Sequence, residues 1–476
     1  MKSWHPRTRA SYDAIADAGW SNRNFIARPL SKKWTRKFQP ILAISASRLV
    51  VGAGSDLYSY AFGMSNDSRA SPPVLFEGSV SFLNQSNRAR SITALTFIED
   101  GGLDLTLEVA FLDGDIERVY LSASPSSDVS VTRHSLAPMP ENDVVESLCS
   151  QSGATLALSS NGYARLTSLS GNTSNTIELK SRSWTSCLCL SASTPYAAFG
   201  MSSTMPLVVH AVLEGGLLSP QPMAILHTHT ASAANLMPRE EFGSSAVYDL
   251  CQGPLNSPWG ASPQILVSGW FDGLVRTYDL RSPSSFSVRR PLSSPSDNSH
   301  SNAATTTSVP IHRPVLSLAE SWPYEPIYSV ASGGGSAAHI AAGTSRLGIV
   351  SFWDTRKLID GWSVHAPGND PSPVYSVVMD SSRFFGATQN RPFVYDFVSG
   401  SSLPGLVICH PFLYCNRALA SQKTHIPRSS PYGESINSKG RKARIERPFT
   451  SLNTDIICTG NARTFFSSPR VLGLDI

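Results

Sequence analysis

The most closely spaced histidines and cysteines of the chain form two pairs. One residue separates His227 from His229, and one separates Cys187 from Cys189. A structural zinc site needs about four such ligands, and neither pair has a third donor near it in the sequence. The cysteines lie in an apolar run, which favours buried thiols, and the histidines suit a polar strand or loop. The sequence therefore predicts no metal site.

Three consecutive glycines at 333–335 are the remaining feature that could suggest chemistry, namely phosphate binding. A phosphate loop needs a strand before it and a lysine and a helix after it. Neither a lysine nor a helical pattern follows, so a turn is expected. The chain also lacks a nucleophile elbow with triad partners and paired carboxylates that suggest a pocket. We expect no catalytic residue, no cofactor and no enzyme activity.

The elements that carry these residues repeat one pattern, in which a tight turn joins the second and third of three short strands. The clearest copy, 246–283, has an Asp-Gly turn at 272–273, a strong hairpin signal. The second copy, 314–357, begins with the expected strand 314–320 and contains a Trp-Asp pair in its third strand. Five weaker copies cover 41–62, 91–122, 144–169, 184–211 and 373–397.

Seven units predict a closed ring, because a four-stranded blade cannot bury either face alone and must stack on its neighbours. Closure needs a strand from one terminus: Asn24–Leu30 is the expected strand, and 403–409 is the competitor. A short amphipathic helix is expected at 11–20, with Tyr12 on its apolar side and Trp20 at its end. The expected fold is an all-β, seven-bladed propeller.

The domain organisation follows from composition. Residues 1–23 are expected to form an N-terminal segment with the short helix, and 24–415 the seven-bladed propeller. The Ser/Thr/Asn-rich insertion 283–313 and most of the basic tail 416–476 are expected to be disordered. Within the tail, Ser438–Arg447 is a basic cluster of the kind used for nuclear import or nucleic-acid contact, and a solvated tail is the commoner interpretation.

Charge and cysteine usage limit the class of protein. Residues 41–415 hold 20 Lys/Arg against 29 Asp/Glu, which argues against nucleic-acid binding by the body of the chain. Seven cysteines without a Cys-x-x-Cys pair, and no apolar leader after Met1, predict reduced thiols and a cytoplasmic or nuclear protein. No apolar run approaches the roughly 18 residues of a membrane span.

The turns between second and third strands are the expected protein-binding face. Exposed aromatics and arginine at such positions are typical of interface hot spots. Asp272 is expected to cap its turn, and Trp270 either contacts a partner or packs between blades. The candidate face consists of Leu112, Trp270, Phe271, Arg346 and Gln389.

The repeats resemble the WD40 family over about residues 41–400. Trp353-Asp354 is the dipeptide that names those repeats, and Tyr-Asp stands at 278–279 and 395–396. Most units lack the Gly-His pair of the family. The resemblance implies a propeller, with Asp272, Trp353 and Asp354 as structural residues of the repeats and turns, and protein partners.

The N-terminal segment is similar to the junction between F-box and propeller in the dactylin-like F-box/WD-repeat proteins. The similarity lies in the helix that ends at Trp20, followed by NFIARPLSKKW and RLVVGAGSDLYSY. It implies a substrate-recognition subunit in ubiquitin-dependent degradation, with Skp1 and cullin-ligase components as partners. The F-box itself is absent from the start of this sequence, and either lies upstream of Met1 or has been lost. The alternative is a general scaffold in a trafficking or chromatin complex.

Overall fold

A computed structural model describes most of the chain between the first helix and Val398. The described residues are 6–35, 39–63, 70–83, 88–122, 129–168, 173–228, 244–282, 286–289, 308–319, 325–357, 361–398 and 458–461.

The chain begins with helix α1, Pro6–Ser21, followed by strand β1, Asn24–Pro29. The expected helix is present and begins five residues earlier than its apolar pattern. Tyr12 and Trp20 are buried at one side of it. Gly19 lies so close to Phe397 that a Cβ atom at position 19 would overlap the Phe397 carbonyl oxygen. The helix is therefore packed against the sheets and does not stand apart from them.

The strands after β1 form the first three sheets in chain order, each with four antiparallel strands. A single-turn 3-10 helix, Pro140–Asn142, precedes the third sheet. The first sheet is β2 Ile41–Ile44, β3 Arg48–Ala53, β4 Asp56–Phe62 and β5 Val74–Ser81; the second is β6 Ile92–Phe97, β7 Thr106–Phe111, β8 Ile116–Leu121 and β9 Val131–Ser135; the third is β10 Val145–Gln151, β11 Ala154–Ser159, β12 Tyr163–Ser168 and β13 Ser174–Glu178.

The fourth sheet has ten strands, in two four-stranded runs and an added hairpin. Its first run is β14 Ser183–Cys189, β15 Tyr196–Ser203, β16 Leu207–Leu213 and β17 Leu217–Leu226; its second is β18 Ser245–Gln252, β19 Ile265–Trp270, β20 Leu274–Asp279 and, later in the chain, β23 Leu316–Ala319; the hairpin is β21 Phe286–Arg289 and β22 Ser308–His312.

Two sheets complete the fold. The fifth is β24 Ile327–Gly333, β25 His339–Thr344, β26 Ile349–Asp354 and β27 Trp362–His365; the sixth joins β28 Val374–Met379, β29 Arg383–Thr388 and β30 Pro392–Asp396 to β1 and to β31 Cys458–Asn461.

The all-β, propeller-like arrangement with one helix is confirmed, whereas the number of separate blades among the described residues is five and not seven. The fourth and fifth units expected from the sequence belong to a single ten-stranded sheet. The junction is short: Ser202 pairs with Ala246, and Ser203 pairs with Ser245. Two residue pairs at one end of β15 and β18 are enough to merge the two runs into one hydrogen-bonded sheet.

The first strands of the units follow one another around a closed path. β2 contacts β6, β6 contacts β10, and the sequence continues through β14, β18, β24 and β28 before returning to β2. Each sheet presents an apolar face to its neighbour, as in the cluster that joins Val50 of β3 to Leu107 and Val109 of β7. Stacking of apolar sheet faces around this path forms the core.

Side-chain hydrogen bonds connect the first strands at several steps of the path. Thr185 Oγ1 donates to Asp249 Oδ1 at 3.2 Å, and Asp249 Oδ2 accepts from the Val330 amide at 2.8 Å. Further on, Ser329 Oγ donates to the Val374 carbonyl at 3.1 Å. Equivalent bonds run from the Ser186 amide to Ser147 Oγ and from the Leu42 amide to Ser376 Oγ. Short polar side chains thereby hold neighbouring units together.

The N-terminal strand closes the ring, as expected. β1 pairs antiparallel with β30, with Ile26 opposite Asp396 and Pro29 opposite Phe393. On its other edge β1 pairs with β31, with Ala27 opposite Cys458. The competing segment, 403–409, lies outside the described residues.

Two expectations for the insertion and its neighbour are wrong. The insertion 283–313 contains β21 and β22, and β22 runs parallel to β17 at the edge of the fourth sheet. The segment 314–320 does not begin the sixth unit, because β23 pairs with β20 as the outer strand of the fifth. The sixth unit begins with β24, whose Ser and Gly residues weaken its apolar pattern. The rest of the insertion and most of the tail 416–476 lie outside the described residues.

Candidate functional site

Six of the described first strands carry a β-bulge near their start, at Thr93 in β6 and at five positions further along the chain, and four of the bulged residues are aromatic. The pairing register shifts on either side of Trp184 in β14, Tyr248 in β18, Tyr328 in β24 and Tyr375 in β28. In β10 the bulged residue is Glu146. A bulge leaves one residue out of the ladder and turns its side chain in a new direction. We name Trp184, Tyr248, Tyr328 and Tyr375 the aromatic row.

The four rings of the aromatic row contact one another in sequence. Ring centroids are 5.3 Å apart between Trp184 and Tyr248, 5.3 Å between Tyr248 and Tyr328, and 5.8 Å between Tyr328 and Tyr375. The first two contacts are edge-to-face and the third is stacked, which are the favoured geometries of aromatic pairs. All four residues are half-buried. The row is thus a continuous aromatic surface that solvent can reach.

Sequence reasoning missed the row although the sequence carries a signal for it. The row residues are each followed by a short polar side chain, in Trp184-Thr185, Tyr248-Asp249, Tyr328-Ser329 and Tyr375-Ser376. The polar residue makes the hydrogen bond to the neighbouring unit, and the aromatic residue is the bulge. An aromatic residue directly before Ser, Thr or Asp at the start of a first strand would have identified the site.

Phe271 and Arg346, both chosen from the sequence, line one pocket of about 810 Å³ beside the row. Tyr328 lines the same pocket, so the row and the turns belong to one surface. Phe271 is 55% exposed, and its ring centroid lies 6.4 Å from that of Tyr248. The side chain of Arg346 is 79% exposed. The structure therefore brings two of the five candidate residues together in one pocket beside the aromatic row.

The carboxylates of the pocket already have partners within the protein. Asp272 accepts two hydrogen bonds from the guanidinium of Arg276, at 3.0 and 2.7 Å, and one from the Leu274 amide. Glu325 accepts a hydrogen bond from Ser345 Oγ at 2.9 Å. Arg346 Nε lies 3.9 Å from Glu325, beyond hydrogen-bond distance. The most exposed charged group of this pocket is the guanidinium of Arg346, with the Glu325 carboxylate at long ion-pair distance from it.

The other three candidate residues occupy different environments. Trp270 is fully buried, with its indole Nε1 donating to Ser268 Oγ at 2.8 Å, and cannot contact a partner. Gln389 extends the row, because its Nε2 donates to the Tyr375 hydroxyl at 2.9 Å and its carbonyl accepts from Trp34 Nε1. Leu112 is exposed on the turn between β7 and β8, away from the row.

The residues expected to support the repeats lie in the packed interior or at its border. Trp353 is buried between the second run of the fourth sheet and the fifth sheet. Asp354 accepts hydrogen bonds from Arg356, and these hold the pKa of its carboxyl below its usual value despite partial burial. His339 Nε2 is 3.9 Å from Asp354, and burial lowers the pKa of the imidazole.

Among the described residues, Asp249 is the acidic side chain in the hydrogen bonds that connect first strands. No Lys, Arg or His forms an ion pair with it among the described residues. Desolvation raises the pKa of its carboxyl to about 6, although bonds from the amides of Val330 and Leu250 and from Thr185 favour the charged form. This carboxyl stabilises the contact between units at the cost of burying a charge.

Metal-binding residue types do not gather into a site in the described part of the chain. No group of three or more His, Cys, Asp or Glu side chains is placed to hold an ion there. Cys187 and Cys189 are buried in an apolar cluster, and burial raises the pKa of Cys187. His229 lies outside the described residues. Among the described helices, none has the length and apolar character needed to cross a membrane.

Comparisons with known proteins give information about the fold of the chain. No protein-family model matches the chain, and no curated protein matches it. A solved structure, titled "Crystal structure of Chaetomium thermophilum Raptor", is similar with a TM-score of 0.50 and 13% sequence identity. The similarity covers 83% of this chain and 31% of that one, so this chain spans about a third of the length of that structure. At this identity the likeness supports the propeller-like arrangement alone.

Proposed function

We propose that the protein is a seven-bladed propeller that binds other proteins through the aromatic row and the adjoining pocket. The seven blades are the five separate sheets together with the two four-stranded runs of the ten-stranded sheet. The closed path of seven first strands supports this count. A rigid ring of this kind is suited to hold an exposed binding surface in a fixed shape.

The observation that carries the proposal is the exposure of Phe271 and Arg346 beside four half-buried aromatic rings. Tyr, Trp and Arg are the residues enriched in interface hot spots. Side chains with few rotatable bonds, such as Tyr and Trp, also lose little entropy when a partner covers them. Protein binding is the function that this surface supports best.

Site-specific photo-crosslinking in cells tests the proposal. A benzophenone amino acid at position 271 replaces one exposed aromatic side chain by another, and the same residue at position 76 is the control. Phe76 is 58% exposed on β5, the outer strand of the first sheet, which contains no residue of the row. We expect protein adducts from position 271 and few or none from position 76. Equal labelling at both positions, or none at position 271, would contradict the proposal.

As a finer proposal, the bound partner is a substrate for ubiquitin-dependent degradation. The support is the similarity of the N-terminal segment to the F-box/WD-repeat junction, in which Trp20 ends the helix. The test is purification of the tagged protein expressed from its own locus, followed by mass spectrometry. Skp1 and a cullin are expected among the co-purified proteins. Their absence, with other partners present, would leave the general scaffold as the function.

The general scaffold is the second candidate, and the basic cluster Ser438–Arg447 favours it. In this proposal the cluster directs the protein to a trafficking or chromatin complex. Deletion of 438–447 is then expected to change the location of the protein in cells without reducing crosslinking at position 271. If the location of the protein is unchanged, the cluster does not direct the protein to a complex.

A further inference from the structure

The hydrogen-bonding groups of the aromatic row are available to a ligand. The hydroxyls of Tyr248 and Tyr328 have no hydrogen-bond partner among the described residues, and neither is enclosed. The Tyr375 hydroxyl accepts from Gln389 Nε2, which leaves its own hydrogen to donate. The row therefore combines apolar ring faces with a succession of hydroxyl donors.

One peptide conformation matches this combination. A polyproline II helix makes no internal hydrogen bonds, so its carbonyl groups all need external donors, and its proline rings present flat apolar surfaces. It rises about 3.1 Å per residue with three residues per turn, so one turn advances about 9 Å. Neighbouring rings of the row are 5.3 Å apart at the first two steps, which is less than one such turn. One turn of such a helix is therefore long enough to contact two neighbouring rings.

The charges around the row restrict the partner further. Arg346 extends into solvent from the pocket with the Glu325 carboxylate 3.9 Å from its Nε, and Asp272 is paired with Arg276. Beyond the Tyr375 end of the row, two exposed lysines precede Trp34, whose indole donates to the backbone carbonyl of Gln389. Exposed cations act over a screening length of about 8 Å. A partner segment with acidic residues beside Arg346 and beyond Tyr375 is complementary to this half of the row.

We propose that the aromatic row binds a proline-rich partner segment in the polyproline II conformation, with an acidic residue that pairs with Arg346. The inference deepens the proposed function, on which it rests, by stating the chemistry of the partner. A nucleic-acid strand would require cations along its whole length. The cation nearest the other end of the row, Arg182, is instead paired with Glu146 and stacked over Trp184.

Fluorescence anisotropy with the full chain tests the proposal. The probes are a labelled decaproline with Asp-Glu at both ends, the same decaproline with Lys-Lys at both ends, and an Asp-Glu-flanked Gly-Ser decamer. We expect the acidic decaproline to bind at least 10-fold more tightly than the Gly-Ser peptide and about 3-fold or more tightly than the lysine-flanked one. Binding is expected to weaken about 3-fold for Tyr328→Phe, which removes only a hydroxyl, and at least 10-fold for Tyr328→Ala.

Charge reversal and matched controls identify the site. Arg346→Glu is expected to reverse the preference between the acidic and lysine-flanked peptides. Arg9→Glu is its control, because Arg9 is also well exposed (63%) and also lies at long ion-pair distance, 3.8 Å, from its acidic partner Asp13. Phe76→Ala is the control for loss of an exposed aromatic ring. Both controls are expected to bind the acidic decaproline as the wild type does.

Several outcomes would overturn the proposal. Absence of proline-peptide binding at millimolar concentration would do so, and so would binding that is unchanged in Tyr328→Ala and Arg346→Glu. Tighter binding of a labelled oligothymidine, dependent on Tyr248 and Tyr328, would assign the row to single-stranded nucleic acid instead. If proline peptides fail while crosslinking at position 271 succeeds, the partner chemistry is wrong and protein binding stands. If both fail, both proposals fall.

Discussion

The indole of Trp20 lies stacked on the ring of Phe397, with 3.6 Å between ring centroids and planes 13° apart. The two residues come from opposite ends of the described chain, one from helix α1 and the other from just after β30. Trp20 Nε1 also donates to the Ser381 carbonyl at 3.1 Å. The N-terminal helix is therefore part of the structure that closes the ring.

Replacement of Trp20 by alanine is expected to destabilise the fold by about 3–5 kcal/mol, the range for removal of a large buried aromatic side chain. The substitution removes the stack on Phe397 and leaves the Ser381 carbonyl without its indole donor. Urea unfolding followed by circular dichroism measures the effect. Arg9→Ala, on the exposed side of the same helix, is the control and should change stability by less than about 0.5 kcal/mol. Similar values for both variants would contradict a closing role for α1.

The Gly19→Ala substitution should also destabilise the protein, although alanine is the better helix former. Its added methyl group would overlap the carbonyl oxygen of Phe397, which is backbone and cannot rotate away. Overpacking of this kind costs about 1–3 kcal/mol. The same unfolding assay applies, with Ser11→Ala at an exposed position of the helix as control. A more stable Gly19→Ala variant would show that the helix can shift away from the sheet.

Asp249 is expected to make stability depend on pH in the direction opposite to an ordinary ion-paired acid. Its folded pKa of about 6 lies above the unfolded value of about 3.9, so the folded state binds the proton more tightly. Asp249 therefore increases the free energy of unfolding below about pH 4, and this contribution is lost as the pH rises through 6. Carboxyls whose pKa values are lowered, such as those of Asp100 and Asp143, act in the reverse sense.

The measurement that isolates Asp249 is the difference in unfolding free energy between the wild type and Asp249→Asn from pH 4 to pH 7.5. The amide does not titrate, so the variant should gain stability relative to the wild type as the pH rises between about 4 and 6. The difference should then level off. A difference that is constant across this range would mean that the carboxyl has its ordinary pKa.

Arg383 is expected to be essential at the boundary between the first and last sheets. Its guanidinium is buried, donates to Asp380 Oδ2 at 2.8 and 2.6 Å and to the Pro72 carbonyl at 3.0 Å, and stacks on Phe62. Arg383→Gln leaves the Asp380 carboxylate without its cation, a change that costs about 3–5 kcal/mol at buried pairs. Because part of Asp380 is exposed, the lower end of that range is expected. Arg9→Gln, at a longer ion pair with Asp13 whose two side chains are both exposed, is the control and should cost far less.

The sequence predicted the elements whose patterns are local. The Asp-Gly turn at 272–273, the Trp-Asp pair at 353–354 and the apolar helix stripe around Tyr12 all lie where they were expected. Those signals depend on turn chemistry and side-chain periodicity, which neighbouring residues fix by themselves. The strand Asn24–Pro29 was recognised because ring closure requires a strand from one terminus.

The features that were missed depend on contacts between distant residues. Residues 316–319 carry an apolar run that suits a first or an outer strand, and only pairing with β20 makes them an outer strand. Trp270 and Phe271 are adjacent and both aromatic, yet one is buried and the other exposed because β19 ends between them. The bulges of the aromatic row are register shifts between paired strands, which the sequence marks only by an aromatic residue before Ser, Thr or Asp.

The pairing of β1 with β30 has a consequence for synthesis on the ribosome. Ile26 leaves the ribosome before Asp396, its partner across the ladder, which is made some hundreds of residues later. At about 5–20 residues per second, the N-terminal strand waits tens of seconds for a partner, and its apolar side chains must be shielded throughout. Slower elongation would lengthen that exposure, so aggregation of the nascent chain should rise with translation time.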